Sequence, residues 1–167
     1  MVIAAPDLER ARAIAASVPD PELPMLTIED LGILRGVSRE PDGAIVVELT
    51  PTYSGCPALD AMRRDVARRL SEAGFEGSVV RTVLSPAWSS DWITERGRRR
   101  LSQAGIAPPG PAPRGPALLS LEPPPRAVSC PRCGGSGVEL SPFGATACRA
   151  LWRCAECGEP FERFKEL

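Results

Sequence analysis

Four cysteines near the end of the chain have the spacing of a metal site. They form two Cys-x-x-Cys pairs separated by twenty residues: Cys130, Cys133, Cys154 and Cys157. Structural zinc sites have this spacing, because two short turns can then aim four thiolates at one ion. Gly134 and Gly158, one after each pair, give the backbone the freedom that such turns need. The pattern predicts a zinc-ribbon module over residues 128–167, with zinc as a structural metal.

Two redox dithiols are the alternative interpretation of these pairs. A unit of about forty residues with few apolar side chains does not fold by burial alone, which favours a metal. The spacing does not separate zinc from iron, because a closed shell of four thiolates suits both. Cys148 has three possible roles: a packed cysteine beside Trp152, a spare metal ligand or an exposed thiol. A packed cysteine is favoured.

Cys56 is the second chemically interesting cysteine. It lies in the run Thr52-Tyr-Ser-Gly-Cys-Pro57, between a predicted strand and a predicted amphipathic helix. A thiol at this place faces the positive end of the helix, which predicts a lowered pKa and a thiolate able to act as a nucleophile or a metal ligand. The alternative is a buried N-cap cysteine without reactivity.

Acidic residues cluster in two short segments, residues 18–24 and 27–32. They are Asp20, Glu22, Glu29 and Asp30. They serve either as capping groups for backbone amides or as the wall of a site, and the composition favours capping.

Two residue types are missing from the chain, histidine and asparagine. The lack of histidine excludes a Ser-His-Asp or Cys-His relay, a two-His-one-carboxylate iron site and a His-liganded catalytic zinc within this chain. The formal net charge of -1 provides no basic field for nucleic acid. The chain shows neither a signal sequence nor an apolar run of membrane-spanning length, so a cytoplasmic protein is expected.

The elements predicted around Cys56 have the order α-β-β-α-β-α. Hydrophobic periodicity predicts helices over 8–18, 59–70 and 91–103, and strands over 33–38, 44–50 and 78–84. This order predicts an α+β domain over residues 1–104, with a small mixed sheet of three or four strands and packed helices. Residues 105–127 contain eight prolines. They are predicted to be a semi-rigid linker without helix or sheet.

Several segments of the chain resemble known families. DPELPMLTIEDLGIL (20–34), LTPTYSGCP (49–57) and VRTVLSPAWSSDWITERGRRRL (80–101) resemble the SufT-like family of iron–sulfur assembly factors. CPRC, FGATACRALWRC and AECGEPFERFK, with the linker, resemble the D-subunit family of the bacterial ring-1,2-phenylacetyl-CoA epoxidase system. The resemblance implies an α+β assembly-factor domain whose motif cysteine is Cys56.

The resemblance also implies a function. It points to a non-enzymatic accessory protein of phenylacetate catabolism, in which Cys56 transiently holds iron or an iron–sulfur cluster and Asp20 or Glu22 completes the site. The implied partners are the oxygenase and the iron–sulfur reductase subunits of the same system. A thiol-dependent enzyme using Cys56, a purely structural docking subunit and a nucleic-acid-binding ribbon are the alternatives. The sequence leaves open whether the protein forms a homodimer.

Overall fold

The computed structural model describes residues 5–113 and 128–167, which belong to two compact units. The N-terminal unit extends to Trp88 and includes Trp92–Gly97, and the C-terminal unit consists of Ser89–Asp91 and Arg98–Leu167. Over the described ranges the helices are α1 (Ala5–Ala16), α2 (Ala58–Glu72) and α3 (Glu95–Gln103). The strands are β1 (Leu34–Arg39), β2 (Ile45–Leu49), β3 (Val79–Thr82), β4 (Ile106–Ala107), β5 (Gly137–Ser141), β6 (Arg149–Cys154) and β7 (Pro160–Phe164).

The N-terminal unit contains a three-stranded mixed sheet. Its strand order is β1-β2-β3, with β1 antiparallel and β3 parallel to β2. Val47 in the central strand is paired with Val37 on one side and Val80 on the other. The turn between β1 and β2 is closed by the Glu40 amide, which donates to the Ala44 carbonyl over 2.9 Å. The predicted α+β class and the mixed sheet are confirmed.

The core of the N-terminal unit follows the predicted periodicity of α2. Met62, Val66 and Leu70 recur on one face of this helix and are at most 1% exposed. Val47 and Leu49 of the central strand are fully buried as well. Apolar side chains at this spacing form one stripe, so the helix is held mainly by burial of that stripe. No helix in the described part of the chain is long and apolar enough to cross a membrane.

The final helix begins later than predicted, at Glu95 rather than Asp91. Residues Ser90–Trp92 form a short 3-10 turn instead. The hydroxyl of Thr94 accepts a hydrogen bond from the Gly97 amide over 3.0 Å, which makes Thr94 the N-cap of α3. The Thr94 amide donates to the Asp30 carbonyl over 2.9 Å, so a contact distant in sequence fixes where this helix starts.

The C-terminal unit contains a four-stranded sheet with the order β4-β7-β6-β5. Strands β5, β6 and β7 are antiparallel neighbours, as expected for a ribbon. The buried cluster of this unit brings together residues of β4, β6 and β7 and of the segment before β5: Ala107, Val128, Cys130, Ala150, Trp152, Cys154 and Phe161. Two of the seven are cysteines of the predicted metal site, so the core and that site share residues.

The prediction that residues 105–127 lack regular structure is wrong at their start. Ile106 and Ala107 form β4, which pairs in parallel with Glu162 and Arg163 of β7. The two residues precede the first proline of the segment, and they are 6% and 2% exposed. Their backbone amides can therefore donate hydrogen bonds to a neighbouring strand, and their apolar side chains can pack in the core. Residues 114–127 of the predicted linker lie outside the described residues.

Candidate metal-binding sites

The two cysteine pairs of the C-terminal unit form two turns with the same hydrogen bonds. In the first turn the Gly134 amide donates to the Cys130 carbonyl over 2.9 Å, and in the second the Gly158 amide donates to the Cys154 carbonyl over 3.1 Å. Gly134 and Gly158 have φ values of 78° and 75°, as their predicted role requires. We call these turns the first knuckle (residues 130–135) and the second knuckle (residues 154–159).

The four sulfur atoms of the knuckles converge on one point. All four Sγ atoms lie within 4.8 Å of one another. Cys130 Sγ is 4.0 Å from Cys157 Sγ, and Cys133 Sγ is 3.5 Å from Cys154 Sγ. A tetrahedron with Zn–S bonds of about 2.3 Å has sulfur–sulfur edges of about 3.8 Å. The donor set therefore fits one tetrahedrally coordinated metal ion.

Electrostatics also favour a cation at this place. The Cys157 amide hydrogen-bonds Cys154 Sγ and, with other contacts, lowers the pKa of that thiol to about 7. The Gly135 amide likewise lowers the pKa of Cys133. Hydrogen bonds with the neighbouring cysteines outweigh this effect and raise the pKa of Cys133 to about 12. The Cys154 thiolate thus opposes ionisation of Cys133, and a bound cation would offset this repulsion.

Cys148 lies apart from the four-cysteine cluster. It is 7% exposed, and its Sγ is 3.0 Å from the hydroxyl oxygen of Thr146. This position agrees with a packed cysteine and not with a metal ligand or an exposed thiol.

Glu156 connects the two knuckles, a contact that the spacing of the cysteines did not indicate. Its carboxylate accepts a hydrogen bond from the Ser136 amide over 3.1 Å. A Cβ atom at Gly135 would lie 2.5 Å from the same carboxylate, so a side chain there would require the Glu156 carboxylate to move. Glu156 belongs to the second knuckle and Ser136 directly follows the first, so this exposed hydrogen bond links the two turns.

Cys56 lies in the N-terminal unit, just before α2. Its amide donates to the Tyr53 carbonyl over 3.1 Å, which closes a turn after the end of β2. Pro57 is the N-cap residue of α2 and provides no side-chain cap. The amide groups of Ala58 and Leu59 instead hydrogen-bond the half-buried Cys56 sulfur. The predicted position of the thiol at the amino end of the helix is therefore correct.

The predicted lowering of the Cys56 pKa is wrong. Burial raises the pKa of this thiol, and the negative charges of Glu22 and Asp20 raise it further. The amides of Ala58 and Leu59 lower it, as expected of a helix amino end, but their effect is smaller. The thiol is therefore protonated at neutral pH.

Asp20 and Glu22 belong to one tight turn and have different surroundings. Asp20 is 6% exposed, and its Oδ1 accepts hydrogen bonds of 2.8 Å from the amides of both Glu22 and Leu23. The Glu22 side chain is exposed. Asp20 thus caps the turn that carries Glu22, and the charges of both residues act on Cys56.

Asp30 has the capping role that composition favoured. It is fully buried, and its carboxylate accepts from the Thr27 amide over 3.0 Å and from Arg96 Nε over 2.5 Å. Burial opposes its charge, but these partners outweigh burial and keep the pKa of Asp30 below its ordinary value. Glu29 forms a salt bridge of 3.3 Å with Arg12.

Thr50 is a further residue of interest that the sequence did not single out. It follows β2, six residues before Cys56, and is 1% exposed. Its hydroxyl has no hydrogen-bond partner among the described residues. A buried polar group without a partner is uncommon, but a threonine after a strand carries no signal of this in the sequence.

Comparison with known proteins identifies the family of this chain. A protein of Escherichia coli (strain K12), named as a candidate D-subunit of 1,2-phenylacetyl-CoA epoxidase, is 43% identical over 164 residues. The match covers 98% of this chain and 95% of the relative. The chain belongs to this D-subunit family. Residues 116–165 match the family described as PaaD zinc beta ribbon domain. These residues include the four clustered cysteines.

The N-terminal part of the chain matches a second family and further known proteins. Residues 9–84, which include Cys56, match the family described as iron-sulfur cluster assembly protein. An Fe-S protein maturation auxiliary factor of Porphyromonas gingivalis (strain ATCC BAA-308 / W83) is 34% identical over 80 residues, covering 47% of this chain and 75% of the relative. A crystal structure of the domain of unknown function DUF59 from Bacillus anthracis has a TM-score of 0.51 at 26% identity, covering 56% of this chain and 90% of that one.

Proposed function

We propose that this protein is a non-catalytic maturation factor of a phenylacetyl-CoA epoxidase system in phenylacetate catabolism. Cys56, with Glu22 and Asp20, transiently holds iron or an iron–sulfur cluster and delivers it to the oxygenase or the iron–sulfur reductase subunit. The ribbon carries a structural zinc ion on Cys130, Cys133, Cys154 and Cys157. Membership in the D-subunit family and the assembly-protein match over residues 9–84 support this proposal.

The observation that carries the proposal is the effect of two carboxylate charges, those of Glu22 and Asp20, on the Cys56 thiol. Burial of the thiol and these two charges raise the pKa of Cys56 above its ordinary value. An arriving cation reverses this balance, because it displaces the proton and is attracted by the same carboxylates. One thiolate with one exposed carboxylate is a small ligand set, which suits the transfer of a metal better than its storage.

A thiol-dependent enzyme is less compatible with this site. Nucleophilic cysteines usually have a lowered pKa or an adjacent base, and the pKa of Cys56 is raised. The chain contains no histidine that could act as this base.

Metal analysis after co-expression tests the proposal. Wild type, Cys56→Ser and Cys148→Ser are each co-expressed anaerobically with the oxygenase and reductase subunits, and zinc, iron and sulfide are measured in every purified protein. We expect one zinc per chain in all three forms, and a loss of client iron and epoxidation activity with Cys56→Ser alone. Cys148→Ser is the matched control, because Cys148 is a cysteine outside both sites.

Two outcomes would contradict the proposal. Client iron and activity that are unchanged by Cys56→Ser would exclude the thiol relay and favour a structural docking subunit. Iron in place of zinc in the Cys56→Ser protein would show that the ribbon site holds iron.

A further inference from the structure

One edge of the C-terminal sheet is apolar and exposed. β5 is the last strand in the order β4-β7-β6-β5. The start of its outer edge is occupied, because the Gly137 amide donates to the Val128 carbonyl over 2.7 Å, and within the described ranges no strand pairs with the rest of this edge. Val138, Leu140 and Phe143, on β5 and the turn after it, are 57%, 55% and 72% exposed. We call these three side chains the β5 patch. Sheet edges are usually protected by charge or by a covering segment, so an apolar open edge indicates an interaction site.

An open cleft adjoins the β5 patch. Val138 and Leu140 line a cavity of about 530 Å³ together with Arg153 and the second knuckle. Arg153 is the cross-strand partner of Val138, so the two side chains share one face of the sheet. The β5 patch thus provides apolar surface beside a strand edge whose backbone groups can pair with another chain.

Each end of the β5 patch carries a positive charge without a matching carboxylate. Arg153, beside Val138, donates from Nε to the Gly158 carbonyl over 3.2 Å. Lys165 Nζ lies 5.3 Å from the ring centroid of Phe143 and donates to the Ala147 carbonyl over 2.8 Å. Neither cation forms a salt bridge within the described residues. Glu156 also lines the cleft and keeps its negative charge while it accepts from the Ser136 amide, so the two cations exceed it by one positive charge.

We propose that the β5 patch docks an extended acidic–apolar segment of a partner protein, which adds to the sheet as a further strand. Main-chain hydrogen bonds to β5 would give affinity, and apolar side chains of the segment would cover the β5 patch. Carboxylates at its ends would pair with Arg153 and Lys165, so a basic segment of the same shape is rejected. This inference is independent of the role of Cys56, since it concerns only the C-terminal unit.

Two peptides test the inference on the full-length, metal-loaded protein. Fluorescein-labelled EVEVEVEV and KVKVKVKV are titrated, and binding is followed by fluorescence anisotropy. We expect the glutamate peptide to bind at least tenfold more tightly than the lysine peptide. Leu140→Ser combined with Phe143→Ser should weaken its binding at least tenfold. Leu84→Ser, at a residue 60% exposed in the N-terminal unit, is the matched control and should leave the affinity unchanged.

A charge variant keeps the test decisive if the serine variant misfolds. Arg153→Glu combined with Lys165→Glu retains the β5 patch and should reverse the preference toward the lysine peptide. Equal binding of both peptides to wild type, no binding of either peptide, or an unreversed preference would overturn the inference. It would also be overturned if sedimentation showed a dimer that Leu140→Ser dissociates, because the β5 patch would then be an interface between two copies of this chain.

Discussion

At Cys56 the local and the distant environment act in opposite directions. The amides at the start of α2 favour the thiolate, and these groups are adjacent in sequence. Burial and the charges of Glu22 and Asp20 favour the protonated thiol, and they prevail. The resulting pH dependence differs from that of a helix-activated cysteine, because the pKa of the thiol is raised and not lowered.

Glu22→Gln should make Cys56 more reactive. Removing a negative charge that raises the pKa lowers the pKa, so the thiolate fraction at pH 8 increases. Because Glu22 is exposed and its charge is screened by water, the charge contributes about 1 kcal/mol or less, so the alkylation rate should rise by at most roughly fivefold. The rate is measured with iodoacetamide by mass spectrometry of the Cys56 peptide.

Glu76→Gln is the control for this experiment, because Glu76 is an exposed glutamate of the same unit. A rate that stays the same or falls in Glu22→Gln would contradict the assigned influence of Glu22 on the thiol. Asp20→Asn is less suitable, because it also disturbs the turn that Asp20 caps.

The four clustered cysteines were predictable and the state of Cys56 was not, for the same physical reason. Each Cys-x-x-Cys-Gly turn is determined by its own five residues, so the spacing alone shows where the sulfurs point. The pKa of Cys56 depends on acidic residues more than thirty positions earlier in the chain. Sequence periodicity does not give distances between such segments.

Among the secondary-structure elements, β4 changes the description of the C-terminal unit most. It comes from the start of a proline-rich segment and pairs with β7 from the end of the chain. Ala107 in β4 is 2% exposed and belongs to the same buried cluster as Trp152 and Phe161. β4 is therefore part of the folded unit that contains the ribbon.

Ala107→Asp should destabilise the C-terminal unit. A carboxylate placed among apolar side chains without a partner costs about 3 kcal/mol or more. Hydrogen exchange measured by mass spectrometry should then show faster exchange in peptides that cover β7. Exchange at β7 that matches wild type would show that β4 is dispensable.

Ala87→Asp is the matched control for Ala107→Asp, since Ala87 is exposed in the N-terminal unit. The same substitution there should leave exchange in β7 unchanged. This comparison separates the burial of Ala107 from any general effect of an added negative charge.

The elements differ in how well periodicity described them. α2 has fifteen residues with a repeated apolar face, so its place and its buried side were predictable. β4 has two residues, and two residues have no period. The start of α3 depends on the contact between Thr94 and Asp30, which are 64 positions apart. Pattern analysis therefore found the long elements and missed those defined by contacts distant in sequence.

For the molecule as a whole, the two units rely on different sources of stability. The N-terminal unit buries the apolar faces of its helices against a sheet. The C-terminal unit has a buried cluster of seven residues, two of which are the metal-site cysteines Cys130 and Cys154. Its stability should therefore depend on the bound metal, while that of the N-terminal unit should not.

Removing the metal with a chelator at neutral pH should unfold the C-terminal unit alone. Amides of β5, β6 and β7 should lose protection from hydrogen exchange, and those of α2 and β2 should keep it. Cys148→Ser should retain the metal and the protection, because Cys148 is outside the cluster. Loss of protection in both units, or in neither, would contradict this division.

The β4 strand also determines which piece of the chain can be reused. A metal-binding tag cut just before the first knuckle would contain every ligand and leave β7 without a neighbour on one side. A tag that begins at Ser89 would keep α3 with its N-cap and carry its own covering strand to a new host protein. The portable part of this chain thus begins about forty residues before its first metal ligand, a boundary that the cysteines alone do not reveal.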